Sequence, residues 1–179
     1  MKVVIINGTG GAGKDTFVAM CKDVLGANKI LNISTVDYVK EVAQFCGWDG
    51  TKTPENRKFL SDLKRILTEW NETPFKKVCQ EVRCWQNIWL GSCDYDKVVV
   101  FIHCREPKEI DKLLREFQTY DPITLMVRRS AAESVGQINS SDNSVFDYAY
   151  DYTIYNDSNL SWLYNEARVF LQNYLKLNI

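Results

Sequence analysis

The chain has a single histidine, only four prolines, and no CxxC pair among its six cysteines, Cys21, Cys46, Cys79, Cys84, Cys93 and Cys104. That spacing, with one imidazole available, argues against a zinc-binding framework. The cysteines are expected to be reduced thiols, mostly small core residues. Neither sign of charge dominates, since 22 Lys and Arg stand against 23 Asp and Glu for a formal charge of −1. There is thus no basic field of the kind that drives binding to nucleic acid or to a membrane surface. Long apolar runs are also missing: Val3–Ile6 is too short for the apolar region of a signal peptide, and Val98–Ile102 cannot cross a bilayer. No linker, repeat or low-complexity tract interrupts the 179 residues. The expectation is one soluble, cytoplasmic domain over 1–179, large enough to bury its own core and partnered by small molecules. The sequence gives no oligomeric state.

Glycine is scarce but concentrated. Four of the nine, Gly8, Gly10, Gly11 and Gly13, fall in the stretch Gly8-Thr9-Gly10-Gly11-Ala12-Gly13-Lys14-Asp15, between the apolar run Val3–Ile6 and a helix-like stretch from Thr16 to Leu25. A strand that ends in glycines lets successive backbone N–H groups turn inward around phosphate oxygens, and the following helix N-terminus favours negative charge. Lys14 is placed to reach the β- and γ-phosphates. The stretch reads as a P-loop that binds ATP through Gly8, Gly10, Gly11, Ala12, Gly13, Lys14, Asp15 and Thr16. One position departs from the usual pattern, in which Ser or Thr follows the lysine and ligates Mg²⁺. Here Asp15 follows, and the hydroxyl comes one residue later at Thr16. A carboxylate about 4 Å from a phosphate charge is repelled by roughly 4 kcal/mol at an effective dielectric near 20, so Asp15 next to the phosphates calls for a cation. Asp15 and Thr16 are accordingly the candidate Mg²⁺ ligands. The competing reading of Asp15 is a charge that favours its helix N-terminus.

Along the rest of the chain, apolar runs alternate with helical patterns, the signature of βαβ units and a parallel sheet covered on both faces. Strands are expected at 2–7, 29–34, 97–103, 122–128 and 151–155. The first helix, 14–25, should bury Phe17, Met20, Cys21 and Val24 and stop at Gly26. A second runs from near Val36 to Gly47. A helical insert occupies about 48–92, with Pro54 and Pro74 in first-turn positions and Phe75, Val78, Val82, Trp85 and Trp89 on one stripe. Pro107 opens a helix with Ile110, Leu113, Leu114 and Phe117 inward. The final helix is expected to start at Asn156-Asp157-Ser158, all good capping types.

The segments Gly-Lys-Asp-Thr at 13–16, Ile33-Ser34-Thr35-Val36-Asp37-Tyr38-Val39-Lys40-Glu41-Val42-Ala43 and Gly47-Trp48-Asp49-Gly50, with Arg57 and Leu60 beyond, resemble the deoxynucleoside monophosphate kinases of bacteriophages and bacteria. So do Arg105-Glu106-Pro107 and Tyr152-Thr153-Ile154-Tyr155-Asn156-Asp157. More distantly, the Gly-Lys-Asp form is similar to animal-type phosphomevalonate kinase, and the layout to dephospho-coenzyme A kinase. The resemblance implies a P-loop NTPase α/β/α fold with a five-stranded parallel sheet, an acceptor-binding helical insert, an arginine-rich lid at about 129–144, and Mg·ATP as phosphoryl donor. A guanine-reading Asn-Lys-x-Asp segment is not found, which argues against a GTP switch.

On this reading Lys14, Arg105, Arg128 and Arg129 carry transition-state charge. Asp37, Lys40, Arg57 and Trp48 are the candidates to meet the phosphate acceptor. Each has a plainer reading. Asp37 can serve its helix N-terminus, Lys40 a solvated surface, Arg57 (like Arg65 and Arg83) an ordinary exposed position, and Arg105 an ion pair with Glu106 or Glu109. Arg128 and Arg129 can be a basic strand end. Trp70, Trp85 and Trp89 are candidate stacking platforms for a base, with packing the competing reading for Trp85 and Trp89. His103 ends the middle strand where related kinases often carry an acidic residue. Either Asp15 takes over the metal, or activity is reduced or lost, which keeps a non-catalytic ATP-binding regulator open as an alternative.

Overall fold

The computed structural model describes residues 1–134 and 145–179. It divides into two compact units, one formed by Met1–Asn32 with Trp89–Ile179 and the other by Ile33–Ile88.

The first unit is built on a five-stranded parallel sheet with spatial order β2-β3-β1-β4-β5. Its strands are β1 (Lys2–Asn7), β2 (Ile30–Ser34, whose last two residues enter the second unit), β3 (Val99–His103), β4 (Ile123–Arg128) and β5 (Tyr152–Tyr155). These lie within two residues of the runs that alternation predicts. β1 is flanked by β3, with Ile6 opposite His103, and by β4, with Asn7 opposite Met126; Arg128 of β4 stands opposite Tyr155 of β5. Parallel pairing in this register lines up Asn7, His103, Arg128 and Tyr155 along one carboxyl edge, where ligands of such sheets bind.

Helices α1 (Lys14–Leu25), α5 (Pro107–Glu116), the short α6 (Ser130–Glu133) and α7 (Leu160–Val169, continued by a π-turn through Phe170–Tyr174) complete this unit. Side chains alternate across a strand, so Val4, Ile6, Val99, Phe101, Leu125, Val127 and Ile154 share a buried cluster with Phe17 and Cys21 of α1 and Leu163, Ala167 and Phe170. Phe17 meets Phe101 edge-on at 6.4 Å between centroids and Phe170 at 5.6 Å. Fully burying each such ring contributes on the order of 1.5–3 kcal/mol, which fixes α1, and with it the loop before it, against the sheet. The intervening residues Val3, Ile5, Val100 and Ile102 are equally buried, as are Ile110 and Leu113 of α5. Strands buried on both faces explain why these runs are continuous rather than alternating. No described helix is long and apolar enough to cross a membrane.

The second unit holds α2 (Asp37–Phe45), α3 (Pro54–Asn71) and α4 (Thr73–Trp89, whose last residue belongs to the first unit). Thr53 caps α3 by accepting from the Asn56 N–H, with Pro54 in the first turn, as residue chemistry predicts. Glu72, in the left-handed region at φ 52°, separates α3 from α4. On α4, Pro74, Val78, Cys79 and Val82 are buried while Trp85 and Trp89 are half-buried.

Two expectations need correction. The final helix begins at Leu160, capped by Asn159, whose side chain accepts the Trp162 N–H. Asn156 and Asp157 fail to cap it because both side chains are committed elsewhere, as described below. Only three cysteines, Cys21, Cys79 and Cys104, are buried; Cys46, Cys84 and Cys93 are exposed. Cys46 sits at the C-terminal end of α2, Cys84 lies within α4 but off its apolar stripe, and Cys93 falls in the connection before β3.

Candidate nucleotide-binding site

The loop that leaves β1 turns at glycines because its backbone requires them. Gly11 and Gly13 adopt φ values of 81° and 95°, a region costly for residues with a Cβ. A Cβ on Gly8 would lie 2.3 Å from the Val127 carbonyl oxygen and one on Gly13 2.2 Å from Asn156 Nδ2, whereas one on Gly10 meets nothing within 4 Å. The loop is therefore held tightly at both ends and is open at its crown. Phe17 N–H bonds the Gly13 carbonyl at 2.9 Å, starting α1 directly after the loop. The ammonium of Lys14 donates to the carbonyls of Gly8 at 2.7 Å and Thr9 at 2.9 Å, spanning the loop from inside. Thr9 Oγ1 is buried with no hydrogen-bond partner among the described residues.

Two asparagines brace this loop. Asn7, fully buried at the end of β1, accepts the Gly8 N–H at 2.7 Å and donates to the Arg105 carbonyl at 3.2 Å and the Tyr150 hydroxyl at 2.6 Å. Asn156, one residue past β5, donates from Nδ2 to the Ala12 carbonyl at 2.9 Å, while its N–H bonds the Arg128 carbonyl at 2.7 Å. Its neighbour Asp157 accepts from the N–H and hydroxyl of Ser130 at 2.7 and 3.0 Å. Neither bracing role is visible in the pattern of hydrophobicity. The available signal is a polar Asn ending an apolar strand, since a buried amide must find partners.

A cavity of about 860 Å³ opens beside the loop, lined by Gly11, Gly13, Lys14, Asp15, Thr16, Arg129, Asn156, Ser158, Asn159 and Leu160, among others. It joins open backbone, the cations of Lys14 and Arg129, and a polar wall with two leucines, Leu160 and Leu163. Asp15 points to solvent, its side chain 88% exposed, with Oδ1 3.6 Å from His103 Nε2. At that exposure the repulsion from a bound phosphate is screened well below the figure for an effective dielectric near 20. His103 Nε2 lies 2.8 Å from Asn32 Oδ1, the hydrogen-bonded position expected for a lone histidine at a strand end.

The arginines separate. Arg129 lines the cavity. Arg128 makes a bidentate pair with Glu133, Nε to Oε1 at 3.0 Å and Nη2 to Oε2 at 2.8 Å, and its Cζ sits 4.9 Å over the Phe146 ring and 5.8 Å over that of Tyr155. That bond holds the Glu133 carboxyl below the ordinary range for glutamate and the Arg128 guanidinium above its own. Arg105 is half-buried, its main chain fixed by Asn7. Most of the segment expected to form a lid, residues 135–144, lies outside the described residues.

The candidates for the acceptor lie in the second unit. Asp37 accepts the Ser34 N–H through Oδ2 at 2.7 Å and pairs with Lys40 through Oδ1 at 3.0 Å, so these two meet each other. Trp48 donates from Nε1 to the Thr51 carbonyl at 3.0 Å, and the Arg57 side chain is exposed.

The loop fits a polyphosphate: its crown is open at Gly10, a lysine spans it, and a twelve-residue helix starts beneath it. For a divalent cation the chain offers Asp15 and Thr16. No cluster of three His, Cys, Asp or Glu residues able to hold a metal forms among the described residues, so Mg²⁺ here would take further ligands from phosphate oxygens and water.

No protein-family model and no curated protein matches the sequence. Among solved structures, the chain is similar to a gluconokinase from Sinorhizobium meliloti 1021 at TM-score 0.50 and 12% identity, with 98% of this chain and 94% of that chain covered. A shikimate kinase from Bacteroides thetaiotaomicron aligns at TM-score 0.45 and 17% identity over 98% and 99% of the two chains. An APS kinase from Mycobacterium tuberculosis aligns at TM-score 0.45 and 11% identity over 96% of each. The first of these likenesses establishes the fold, the α/β architecture of P-loop kinases.

Proposed function

We propose that the protein is a P-loop small-molecule kinase that moves the γ-phosphoryl group of Mg·ATP to a phosphorylated acceptor, a (deoxy)nucleoside monophosphate. The observation that carries this reading is the loop at 8–14, closed by Lys14 against its own carbonyls and open at Gly10. Phosphoryl transfer asks little covalent chemistry of a protein and much positioning and charge. An acceptor phosphate oxygen forms the new P–O bond as the bond to the leaving ADP oxygen breaks. Loop amides and Lys14 hold the donor phosphates, and Arg129 and Arg105 supply cationic charge where it develops. Arg128 joins them only when its pair with Glu133 opens. Bound Mg²⁺ would neutralise donor charge, with Asp15 and Thr16 as the residues to hold it. Asp37, Lys40, Arg57 and Trp48 are assigned to the acceptor, supported by their place in segments that resemble nucleotide kinases.

A second reading, a regulator that holds ATP without transferring phosphate, is favoured by His103, which occupies the strand end next to Asp15 without a carboxylate of its own. Incubation with Mg·ATP and a panel of nucleoside monophosphates, phosphomevalonate and dephospho-coenzyme A, following ADP release, separates the readings. Turnover confined to nucleotides supports the proposal. Turnover with another acceptor moves the substrate class, and tight ATP binding without turnover supports the regulator.

A further inference from the structure

We infer that Tyr150 is a positioning residue for the nucleotide site, acting through Asn7 on both the first amide of the loop and the main chain of Arg105. The inference rests on the kinase reading for its catalytic consequence, but not for its geometry. Asn7 has one acceptor oxygen and two N–H donors, and all are used: Oδ1 takes the Gly8 N–H at 2.7 Å, and Nδ2 gives to the Arg105 carbonyl at 3.2 Å and to the Tyr150 hydroxyl at 2.6 Å. The hydroxyl itself donates to the Val145 carbonyl at 2.9 Å. The Asn7 side chain is completely buried, so no water competes for these groups. Its orientation is set by the two bonds from Nδ2, and that orientation decides where Oδ1 holds the loop. Removing the Tyr150 hydroxyl leaves one buried N–H without an acceptor and frees the amide to rotate, loosening Gly8 and Arg105 together. Burial pushes the Tyr150 hydroxyl up to about 12, which keeps it a neutral donor throughout the working range. Its ring packs on Tyr148 at 5.2 Å between centroids, a contact that Phe preserves.

The test is a double-mutant cycle on Tyr150→Phe and Asn7→Ser, read in two ways. Without nucleotide, hydrogen exchange at the Gly8 amide should speed up about five- to tenfold in Tyr150→Phe, the effect of one lost buried hydrogen bond, while exchange at Val100 in the sheet interior stays unchanged. In Asn7→Ser, adding Tyr150→Phe should produce no further change at Gly8, because the intermediary is gone. With Mg·ATP and acceptor, kcat in Tyr150→Phe should fall about tenfold with the acceptor KM within about twofold. Additive effects on Gly8 exchange, or equal acceleration at Gly8 and Val100, would show a merely structural tyrosine and overturn the inference. Changed exchange in a protein that releases no ADP would leave the coupling standing and remove the kinase reading instead. Should Asn7→Ser not fold, Asn7→Thr, which keeps an acceptor oxygen for Gly8 but has no amide, closes the same cycle.

Discussion

Asn156 Nδ2 occupies the space where a Cβ on Gly13 would be, 2.2 Å from that ideal position, and from there donates to the Ala12 carbonyl at 2.9 Å. A residue 143 positions downstream thus fixes the tightest turn of the loop, and the glycine is required by its partner as much as by its own φ of 95°.

Gly13→Ala therefore strains the backbone and displaces the Asn156 amide from Ala12. The expected loss is about 2 kcal/mol or more, a fall in Tm of roughly 4–8 °C for a chain of this size. Gly10→Ala, with nothing within 4 Å of the new Cβ, should leave stability within about 0.5 kcal/mol of the native value while lowering ATP affinity, since the methyl enters the open crown. Calorimetry with an ATP titration of both variants checks the contrast.

Glu133→Gln should reduce stability at pH 7 by less than about 1 kcal/mol, because the pair with Arg128 is partly exposed. The pH dependence has a definite sign. The Glu133 carboxyl is held below its ordinary range, mainly by the Arg128 bond, so its contribution is complete above the unfolded value of about 4.3 and is lost as pH falls through the lower folded value. Denaturant melts of native and variant protein should differ at pH 7 and converge in acid. A gap that persists or widens in acid would refute the pairing.

Asp15 distinguishes its two roles by metal dependence. If it faces a cation held by phosphate, Asp15→Asn should raise affinity for ATP in EDTA by about fivefold, a figure reduced for solvent screening at 88% exposure, and lower it with Mg²⁺. If it serves only the helix N-terminus, the substitution should cost about 0.3–1 kcal/mol of stability and leave the ratio of the two affinities unchanged. Isothermal titration with and without EDTA reads both.

Sheet and helices were legible because their signals are redundant. A run such as Val98–Ile102 is buried on both faces and admits no alternative element, and Pro54 and Pro107 mark helix starts by their fixed φ. The loop was legible because glycine spacing and lysine placement are properties of consecutive residues. The bracing residues were not. Asn156 reads as a helix cap from its neighbours, and only its approach to Ala12 across the sheet edge gives it a different task, which leaves capping to Asn159. Arg128 and Arg129 are adjacent and chemically alike, yet strand alternation turns them differently: one lines the cavity and the other finds Glu133. Tertiary pairing of polar side chains carries no period, so no one-dimensional pattern announces it.

The most direct test of the account is the rate of ADP release from Mg·ATP in the presence of nucleoside monophosphates, compared between the native protein and Lys14→Ala. Acceptor-dependent turnover by the native protein and a loss of at least about 100-fold in the variant are expected. Equal turnover by the two proteins would contradict it.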